Sequence, residues 1–333
     1  MRVTRRVRRH LVLPLAAVLL AGLCAAAPRN TVTLRAVFLG DSYTAGHGIA
    51  PLDDPALLCL RARENVPAVV VDQLADRAVE VTVQADVSCA GAAIDHVWLP
   101  QDLGGGLSAE PQKKALRKDT QLVVGSLGLH TLGFGRVLKQ CSARLRGHEG
   151  AMLPGAPLDA RSPAGECRAY LEDGPGAAWL AERFTDAAED LEKLFSDIDS
   201  ESPEARVVLV GYPRWVPADP AACRAAVPDG TETPFADLPA DALPFLDRAV
   251  QAPLNALMRN TAHAHGAHFV DLYAETGGAT ACAGRERRLG ALLEESRVTL
   301  FHHAVPWLLH PTEDGRDHLG DLVADAVAGL HGR

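Results

Sequence analysis

Ser42 is the first residue in this chain whose type and setting could do chemistry. It follows an apolar run at residues 36–39, within the sequence Gly-Asp-Ser-Tyr-Thr-Ala-Gly. A hydroxyl in such a turn can be exposed at the end of a strand, with the backbone N–H groups that follow it free to face a substrate oxygen. An Asp-Ser pair is also a common helix N-cap, so the motif alone leaves both roles open. The nucleophile elbow G-x-S-x-G is not matched, because Thr44 stands where its second glycine belongs.

His310 is the candidate for a general base that would act with this serine. It begins the sequence His-Pro-Thr, just before the last amphipathic stretch. A histidine with a pKa near neutrality can take a proton from an attacking hydroxyl and return it to the leaving group. Taken in isolation, His310 could instead cap the start of the last helix.

The elements that must position these residues follow from the hydrophobic pattern. Short β-branched and apolar runs are typical of buried parallel strands, and the amphipathic stretches among them are long enough for crossover helices. This order predicts a doubly wound α/β fold, a three-layer α/β/α sandwich with a mainly parallel central sheet. Ligands bind beyond the carboxyl ends of such strands, where Ser42 would lie. The predicted strands are residues 33–39, 79–85, 121–127, 206–211 and 268–272, and the predicted helices are residues 67–77, 177–198, 246–264 and 315–330.

Several blocks, in order along the chain, resemble those of the SGNH or GDSL hydrolases. The resemblance is closest to secreted actinobacterial esterases and lipases that use a Ser-His dyad. It spans almost the whole chain after the N-terminal segment, and the co-occurrence of the blocks is more specific than any one of them. The matching blocks are residues 36–46, 88–92, a run through 110–112, 116–124 and 132–134, then 210–214, and finally 310–312 with Gly315.

The resemblance implies roles for individual residues. Ser42 would be the nucleophile and His310 its general base, while the N–H groups of Ser42 and Gly91 would bind the oxyanion. Where the family has Gly-x-Asn-Asp, residues 128–131 are Gly-Leu-His-Thr, so His130 replaces the asparagine that donates to the oxyanion. An imidazole N–H can also donate, but its reach and direction differ from those of a carboxamide. We therefore expect His130 to assist in the oxyanion hole, at reduced activity.

Trp307 occupies the position, three residues before the histidine, where most members of the family place an aspartate. A subset of secreted esterases in the family similarly lacks this acid and uses the backbone carbonyl of the residue there. The resemblance therefore implies that the Trp307 carbonyl orients His310, which makes a dyad rather than a triad.

The N-terminal segment is predicted to be a secretory signal peptide spanning residues 1–26. Five arginines precede an apolar run of 13 residues, which is too short to span a bilayer comfortably, and small residues follow it. Cleavage after Ala26 fits best, with Ala25 as a near alternative, and both the general secretory and the twin-arginine routes remain open. A lipid-modified Cys24 is disfavoured by the large Leu23 before it. Residues 27–333 would then form a single secreted domain.

Six cysteines remain after this segment, an even number that indicates three disulfides in an exported protein. Spacing alone allows 15 pairings. The family resemblance implies the sequential ones: Cys59 with Cys89, Cys141 with Cys167, and Cys223 with Cys282.

Charge and motif content exclude several classes of partner. Loss of the five arginines of the signal peptide takes the formal net charge from −9 to −14, which argues against nucleic acid and against anionic membranes as main partners. The cysteines and histidines lack a common metal-ligand spacing, and no phosphate-binding loop or dinucleotide fingerprint occurs. We predict no metal, no cofactor and no stable membrane insertion, whereas the oligomeric state stays open.

These features together predict a secreted carboxylic ester hydrolase of the lipase or esterase type, working through an acyl-enzyme on Ser42. The alternative is a catalytically degenerate member of the family that binds a lipid or glycan without turning it over. His130 and the missing acid motivate that alternative. The substrate could be a lipid, an acylated glycan or a small ester.

Overall fold

The structure of the protein is a computed structural model that describes residues 32–53, 58–148, 152–225, 227–228, 232–300 and 302–331. The predicted signal peptide lies outside the described residues. The strands are β1 (Val32–Gly40), β2 (Val79–Asp86), β3 (Gln101–Gly104), β4 (Leu107–Ala109), β5 (Leu122–Ser126), β6 (Arg206–Val210), β7 (His268–Val270), β8 (Glu295–Leu300) and β9 (His303–Pro306).

The helices of the described residues include all four predicted amphipathic stretches. A π-helical segment, Leu246–Gln251, leads into the third of these. The α-helices are α1 (Ser42–Ala45), α2 (Val66–Asp76), α3 (Phe134–Cys141), α4 (Cys167–Glu172), α5 (Pro175–Glu201), α6 (Ala242–Phe245), α7 (Ala252–Ala264), α8 (Leu272–Glu275) and α9 (Glu313–His331). Short 3₁₀ turns span Ile94–Val97, Gln112–Ala115, Ala164–Glu166, Pro220–Arg224 and Gly284–Glu286.

Five parallel strands form the central sheet in the order β2-β1-β5-β6-β7. The chain leaves β1 for β2 on one side and then crosses to β5 on the other side of β1. This reversal opens a crevice beyond the carboxyl end of β1, which is where doubly wound sheets bind their ligands. Helix α1 begins at this point, directly after Asp41.

Alternation along the strands supplies the two faces of the sheet. In β1, Leu34, Ala36 and Phe38 pack in one apolar cluster with residues of α2 and α9. Val37 and Leu39 belong to the other cluster, with residues of α5 and α7. Because strand side chains point alternately to opposite faces, each face is covered by a helical layer. The predicted three-layer α/β/α sandwich is confirmed.

Strand β2 departs from the prediction that all five strands are buried. It pairs only with β1 at the edge of the sheet, and Val83 is 43% exposed. The prediction was wrong for this strand because β-branched residues favour a strand without specifying whether it is central or at the edge.

Each of three disulfides joins one cysteine to the next cysteine along the sequence. Cys59 is bonded to Cys89, Cys141 to Cys167, and Cys223 to Cys282, which is the pairing that the family resemblance implied. The first of these bonds anchors the loop that carries Gly91. No helix in the described part of the chain is long and apolar enough to cross a membrane.

Candidate active site

Ser42 is held at the end of β1 by a short turn with several hydrogen bonds. Asp41 caps α1, since its Oδ1 accepts a hydrogen bond from the Tyr43 amide at 2.9 Å. The carboxamide of Gln112 binds both main-chain groups of Gly40, accepting from its N–H and donating to its carbonyl at 2.9 Å each. These contacts fix the direction in which the chain leaves the sheet. They place Ser42, which is only 1% exposed, in the crevice.

His310 lies against Ser42 despite a separation of 268 residues. The distance between Ser42 Oγ and His310 Nε2 is 2.8 Å. The other ring nitrogen, Nδ1, lies 2.9 Å from the Trp307 carbonyl and 3.0 Å from the Leu308 carbonyl. Since carbonyl oxygens only accept, Nδ1 carries the proton and Nε2 is the acceptor for the serine hydroxyl. No carboxylate of the described residues bonds to this histidine.

The turn before His310 has an unusual backbone. Leu308 and Leu309 have φ values of +50° and +64°, in the left-handed region. Such a conformation costs a non-glycine residue about 1–3 kcal/mol, so it persists only where its surroundings hold it. Here it directs the carbonyls of Trp307 and Leu308 at the same ring nitrogen.

The side chain of Trp307 anchors the start of this turn. It is 4% exposed and fills a slot against Gly290, where a Cβ atom would lie 2.1 Å from the Trp307 Cγ. A second contact holds the preceding residue, because His47 Nε2 donates to the Pro306 carbonyl at 3.0 Å. The Trp307 side chain therefore positions its own carbonyl through packing.

Tyr43, the neighbour of the nucleophile, supports the other end of the turn. Its hydroxyl donates to the Leu309 carbonyl at 3.1 Å and accepts from Trp215 Nε1 at 2.8 Å. Its ring lies 4.2 Å from the His310 ring, centroid to centroid. One tyrosine thus supports both the backbone of the turn and the imidazole plane.

Burial keeps the histidines of the site neutral. Desolvation, followed by the nearby His47, sets the pKa of His310 well below its ordinary value, and the Trp307 carbonyl only partly offsets this. Desolvation lowers the pKa of His47 to about 4, and that of His130 to about 4. All three rings are therefore neutral near pH 7, and a neutral His310 can accept a proton on Nε2.

Asp41 is the buried carboxyl closest in sequence to the nucleophile, yet it does not contact the histidine. Its Oδ2 accepts a hydrogen bond from the Tyr212 hydroxyl at 2.6 Å, and that hydroxyl accepts from the Leu129 amide at 3.2 Å. Burial raises the pKa of Asp41 to about 7, against the opposing hydrogen bonds from Tyr212 and the Tyr43 amide. The carboxyl joins the nucleophile turn to the loop that carries His130.

The expected oxyanion donors lie on three loops around the crevice. The N–H groups of Ser42 and Gly91 have no acceptor within the described part of the chain. Gly91 has a φ of +82°, in the left-handed region that glycine adopts readily. The hydroxyl of Thr131, the residue after His130, accepts from the Ile94 amide at 2.8 Å and so ties the His130 loop to the segment that follows Gly91.

His130 differs from the other donors because its ring is poorly partnered. Its Nδ1 is buried and has no hydrogen-bond partner among the described residues. The amide of the preceding residue, Leu129, donates to the Tyr212 hydroxyl, which donates to Asp41 beside Ser42. The loop that carries His130 is therefore tied to the nucleophile turn.

Three supporting residues were not assigned a role from the sequence. Tyr43 follows the nucleophile directly, so its proximity could have suggested a contact. Tyr212 lies in the block at residues 210–214, which was matched without a role. Nothing in the pattern around His47 indicates that it bonds to the Pro306 carbonyl, 259 residues away. The described residues hold no group of three or more side chains arranged to bind a metal ion.

Comparisons with known proteins show which family and which relatives this chain is similar to. Residues 38–318 match the model of the GDSL-like lipase/acylhydrolase family. The chain is 48% identical to an esterase of Streptomyces scabiei over 311 residues, covering 92% of this chain and 89% of the relative. It is 31% identical to lipase 2 of Streptomyces coelicolor over 307 residues, covering 91% and 89%.

Solved structures share the fold at lower identity. Phospholipase A1 from Streptomyces albidoflavus superposes with a TM-score of 0.59 at 21% identity, covering 89% of this chain and 99% of that one. The extracellular lipase of Streptomyces rimosus superposes with a TM-score of 0.57 at 22% identity, with the same coverage. At these identities the likeness concerns the fold alone.

Proposed function

The chain belongs to the GDSL-like lipase/acylhydrolase family, and on that premise we propose that it is a secreted serine hydrolase of carboxylic esters. Ser42 is the nucleophile and His310 the general base. The contact of 2.8 Å between Ser42 Oγ and His310 Nε2 is the observation that carries this proposal. The names of the relatives, an esterase and lipases, support the same substrate class.

The reaction proceeds through an acyl-enzyme. Ser42 Oγ attacks the ester carbonyl carbon while its proton moves to Nε2 of His310, and the carbonyl oxygen becomes an oxyanion. When the tetrahedral intermediate collapses, the bond to the alcohol breaks and His310 gives the proton to the departing oxygen. A water molecule then attacks the acyl-Ser42 carbonyl, again losing its proton to His310, and the acid leaves as Ser42 regains its hydroxyl.

The developing negative charge is bound by the N–H groups of Ser42 and Gly91, with His130 as a third donor. Because His130 stays neutral across the working pH range, it offers one ring N–H. Donors fixed before the reaction stabilise the transition state more than mobile water does. The direction in which the His130 N–H points therefore affects kcat.

The histidine is oriented by main-chain carbonyls, without a carboxylate. The Trp307 carbonyl accepts from Nδ1, and the Leu308 carbonyl at 3.0 Å adds a second acceptor that the family resemblance had not suggested. Both are neutral, so they hold the tautomer without raising the basicity of the ring as an ionised aspartate would. This arrangement defines a dyad.

Secretion is part of the proposal. It is supported by the basic and apolar segment at residues 1–26 and by three disulfides, which persist in oxidising compartments.

Turnover of a short, water-soluble ester tests this function against the alternative of a binding protein without catalysis. The purified protein, Ser42→Ala and a matched control, Ser108→Ala on the exposed β4, would be assayed with p-nitrophenyl butyrate. We expect wild type and the control to release p-nitrophenol at equal rates and Ser42→Ala to approach the uncatalysed rate. Equal rates for wild type and Ser42→Ala would leave the binding protein as the better account.

A further inference from the structure

We propose that a cavity beside His130 binds an anionic group, a carboxylate or a phosphate, carried by the ester substrate. This inference rests on the proposed function and names the substrate class that it implies. The cavity has a volume of about 350 Å³, enough for a group of several heavy atoms. It is lined by residues 130–133, the start of α3, residues 154–155 and one face of α5. Its lining includes His130, Thr131, Arg136, Gly155, Trp179 and Arg183.

Arg136 supplies the charge for this site. Its guanidinium lies over the Trp179 ring at 5.3 Å, and its Nε donates to the Ala156 carbonyl at 3.2 Å. Its aliphatic stem packs against Gly155, where a Cβ atom would lie 3.3 Å from Arg136 Cγ and Cδ. The group is thus held in place before any ligand binds. No carboxylate of the described residues pairs with it, so its terminal Nη1 and Nη2 edge can receive two oxygens of one anion.

Arg183 of α5 adds a second guanidinium to the lining of the cavity. Its Nη2 pairs with Asp186 at 2.7 Å and lies 3.5 Å from Glu182, so its charge is already balanced. Its Nε is buried, however, and has no hydrogen-bond partner within the described residues. A buried donor without an acceptor is destabilising, so a negative charge in the cavity that this residue lines would be favourable.

His130 connects the cavity to the catalytic centre. It lines the cavity, and its loop is tied to the nucleophile turn through the Leu129 amide, the Tyr212 hydroxyl and Asp41. A substrate whose ester carbonyl sits at Ser42 would therefore extend its adjoining chain past His130 toward Arg136. The Arg136 guanidinium keeps a positive charge that no carboxylate of the described residues pairs, although the chain after residue 26 has a formal net charge of −14. A neutral sugar or alkyl chain would leave that charge unmatched.

Two matched pairs of substrates test the inference on the whole secreted protein. The first pair is p-nitrophenyl butyrate and the mono-p-nitrophenyl ester of succinic acid, in which a carboxylate replaces the terminal methyl group. The second is dihexanoylglycerol and dihexanoyl glycerophosphate, which bring a phosphate. The quantity measured is the ratio of kcat/KM for the anionic substrate to that for the neutral one. The proteins compared are wild type, Arg136→Gln, Arg136→Lys and the exposed-surface control Arg161→Gln.

We expect wild type to prefer the anionic member of at least one pair, and that pair identifies the anion. Arg136→Gln should lower the ratio by about tenfold, the effect of losing a charge-assisted hydrogen bond worth about 1.4 kcal/mol. Arg136→Lys should fall between the two, because a lysine keeps the charge but not the paired donors. Arg161→Gln should match wild type.

Unchanged ratios in Arg136→Gln for both pairs would overturn the inference while leaving the ester hydrolase intact. Failure of wild type to hydrolyse any of the four esters would instead sink the proposed function, and the subsite with it. Inhibition of wild-type turnover of p-nitrophenyl butyrate provides a test that needs no variant. n-Butyl phosphate should inhibit competitively and n-butanol at equal concentration should not, whereas equal inhibition by both would contradict an anion site.

Discussion

Two sides of the same crevice are built very differently. On one side, Ser42 Oγ and both ring nitrogens of His310 have hydrogen-bond partners within the described residues. On the other, His130 and Arg183 line a cavity, and His130 Nδ1 and Arg183 Nε have no hydrogen-bond partner among the described residues. The first side holds a catalytic pair whose members are already bonded to each other, whereas the second is a cavity with two unpartnered nitrogens in its lining residues.

This difference separates what performs the chemistry from what selects the substrate. The strained backbone at Leu308 and Leu309 persists because Trp307 and Tyr43 hold it from both ends. A catalytic pair that is fixed in this way does not need the substrate to assemble it. The His130 side departs from the family at the very position where donor geometry matters, so variation there should tune rate and preference without removing the reaction.

The largest effect is expected at His310, the base of the catalytic pair. His310→Ala removes the base and should lower kcat by about a hundred- to ten-thousand-fold, the usual contribution of a positioned general base. Steady-state kinetics on p-nitrophenyl butyrate would measure it, with thermal unfolding to confirm the fold. A loss of less than about tenfold would show that another group takes the proton.

Trp307→Phe is the matched variant for the contact between His310 and the carbonyl that orients it, because it changes the side chain and keeps that carbonyl. Only the main-chain carbonyl of Trp307 bonds to His310, so the phenylalanine should keep most of the activity and lose mainly packing in the slot beside Gly290. A loss of activity equal to that of His310→Ala, in a variant that still folds, would mean that the indole itself has a catalytic part.

A smaller effect is expected at His130, which lines the cavity. Removing one well-aimed oxyanion donor typically costs about 2.7–4 kcal/mol in the transition state. The imidazole of His130 cannot place its N–H where a carboxamide would. The fall in kcat for His130→Ala should therefore correspond to a smaller free energy than this, and His130→Asn should raise kcat on small esters. If both variants match wild type, His130 has no part in the oxyanion hole.

The pH profile gives the smallest but most specific effect. His310 acts as a base only when it is unprotonated, and burial places its pKa well below the ordinary value of about 6.5. Activity is therefore retained as the pH falls below that value and is lost only when the lowered pKa is reached. The acid limb of kcat/KM for p-nitrophenyl butyrate, which does not titrate, should have its midpoint below about 6.5. A midpoint above that value would indicate an ionised carboxylate beside the ring, and so a triad.

The sequence could predict the local features of the site better than those that depend on long-range contacts. The turn at Ser42 is local, since an apolar strand and small residues specify it within a few positions, and the sheet follows from hydrophobic pattern. The orientation of His310 came from resemblance to a family, because no local pattern predicts left-handed φ at two leucines. The bond between Tyr212 and Asp41 joins residues 171 apart, so only the folded chain brings it into view. The cavity at Arg136 likewise depends on how α3 and α5 meet around residues 154–155.

Covalent labelling tests the central claim, that Ser42 is a nucleophile activated by His310, most directly. The purified protein and His310→Ala would each be incubated with an alkyl fluorophosphonate, and the site and rate of labelling would be determined by peptide mass spectrometry. We expect one adduct in wild type, on the peptide that contains Ser42, and labelling at least about a hundredfold slower in His310→Ala. An adduct on a different serine, or equal labelling rates in the two proteins, would contradict the account.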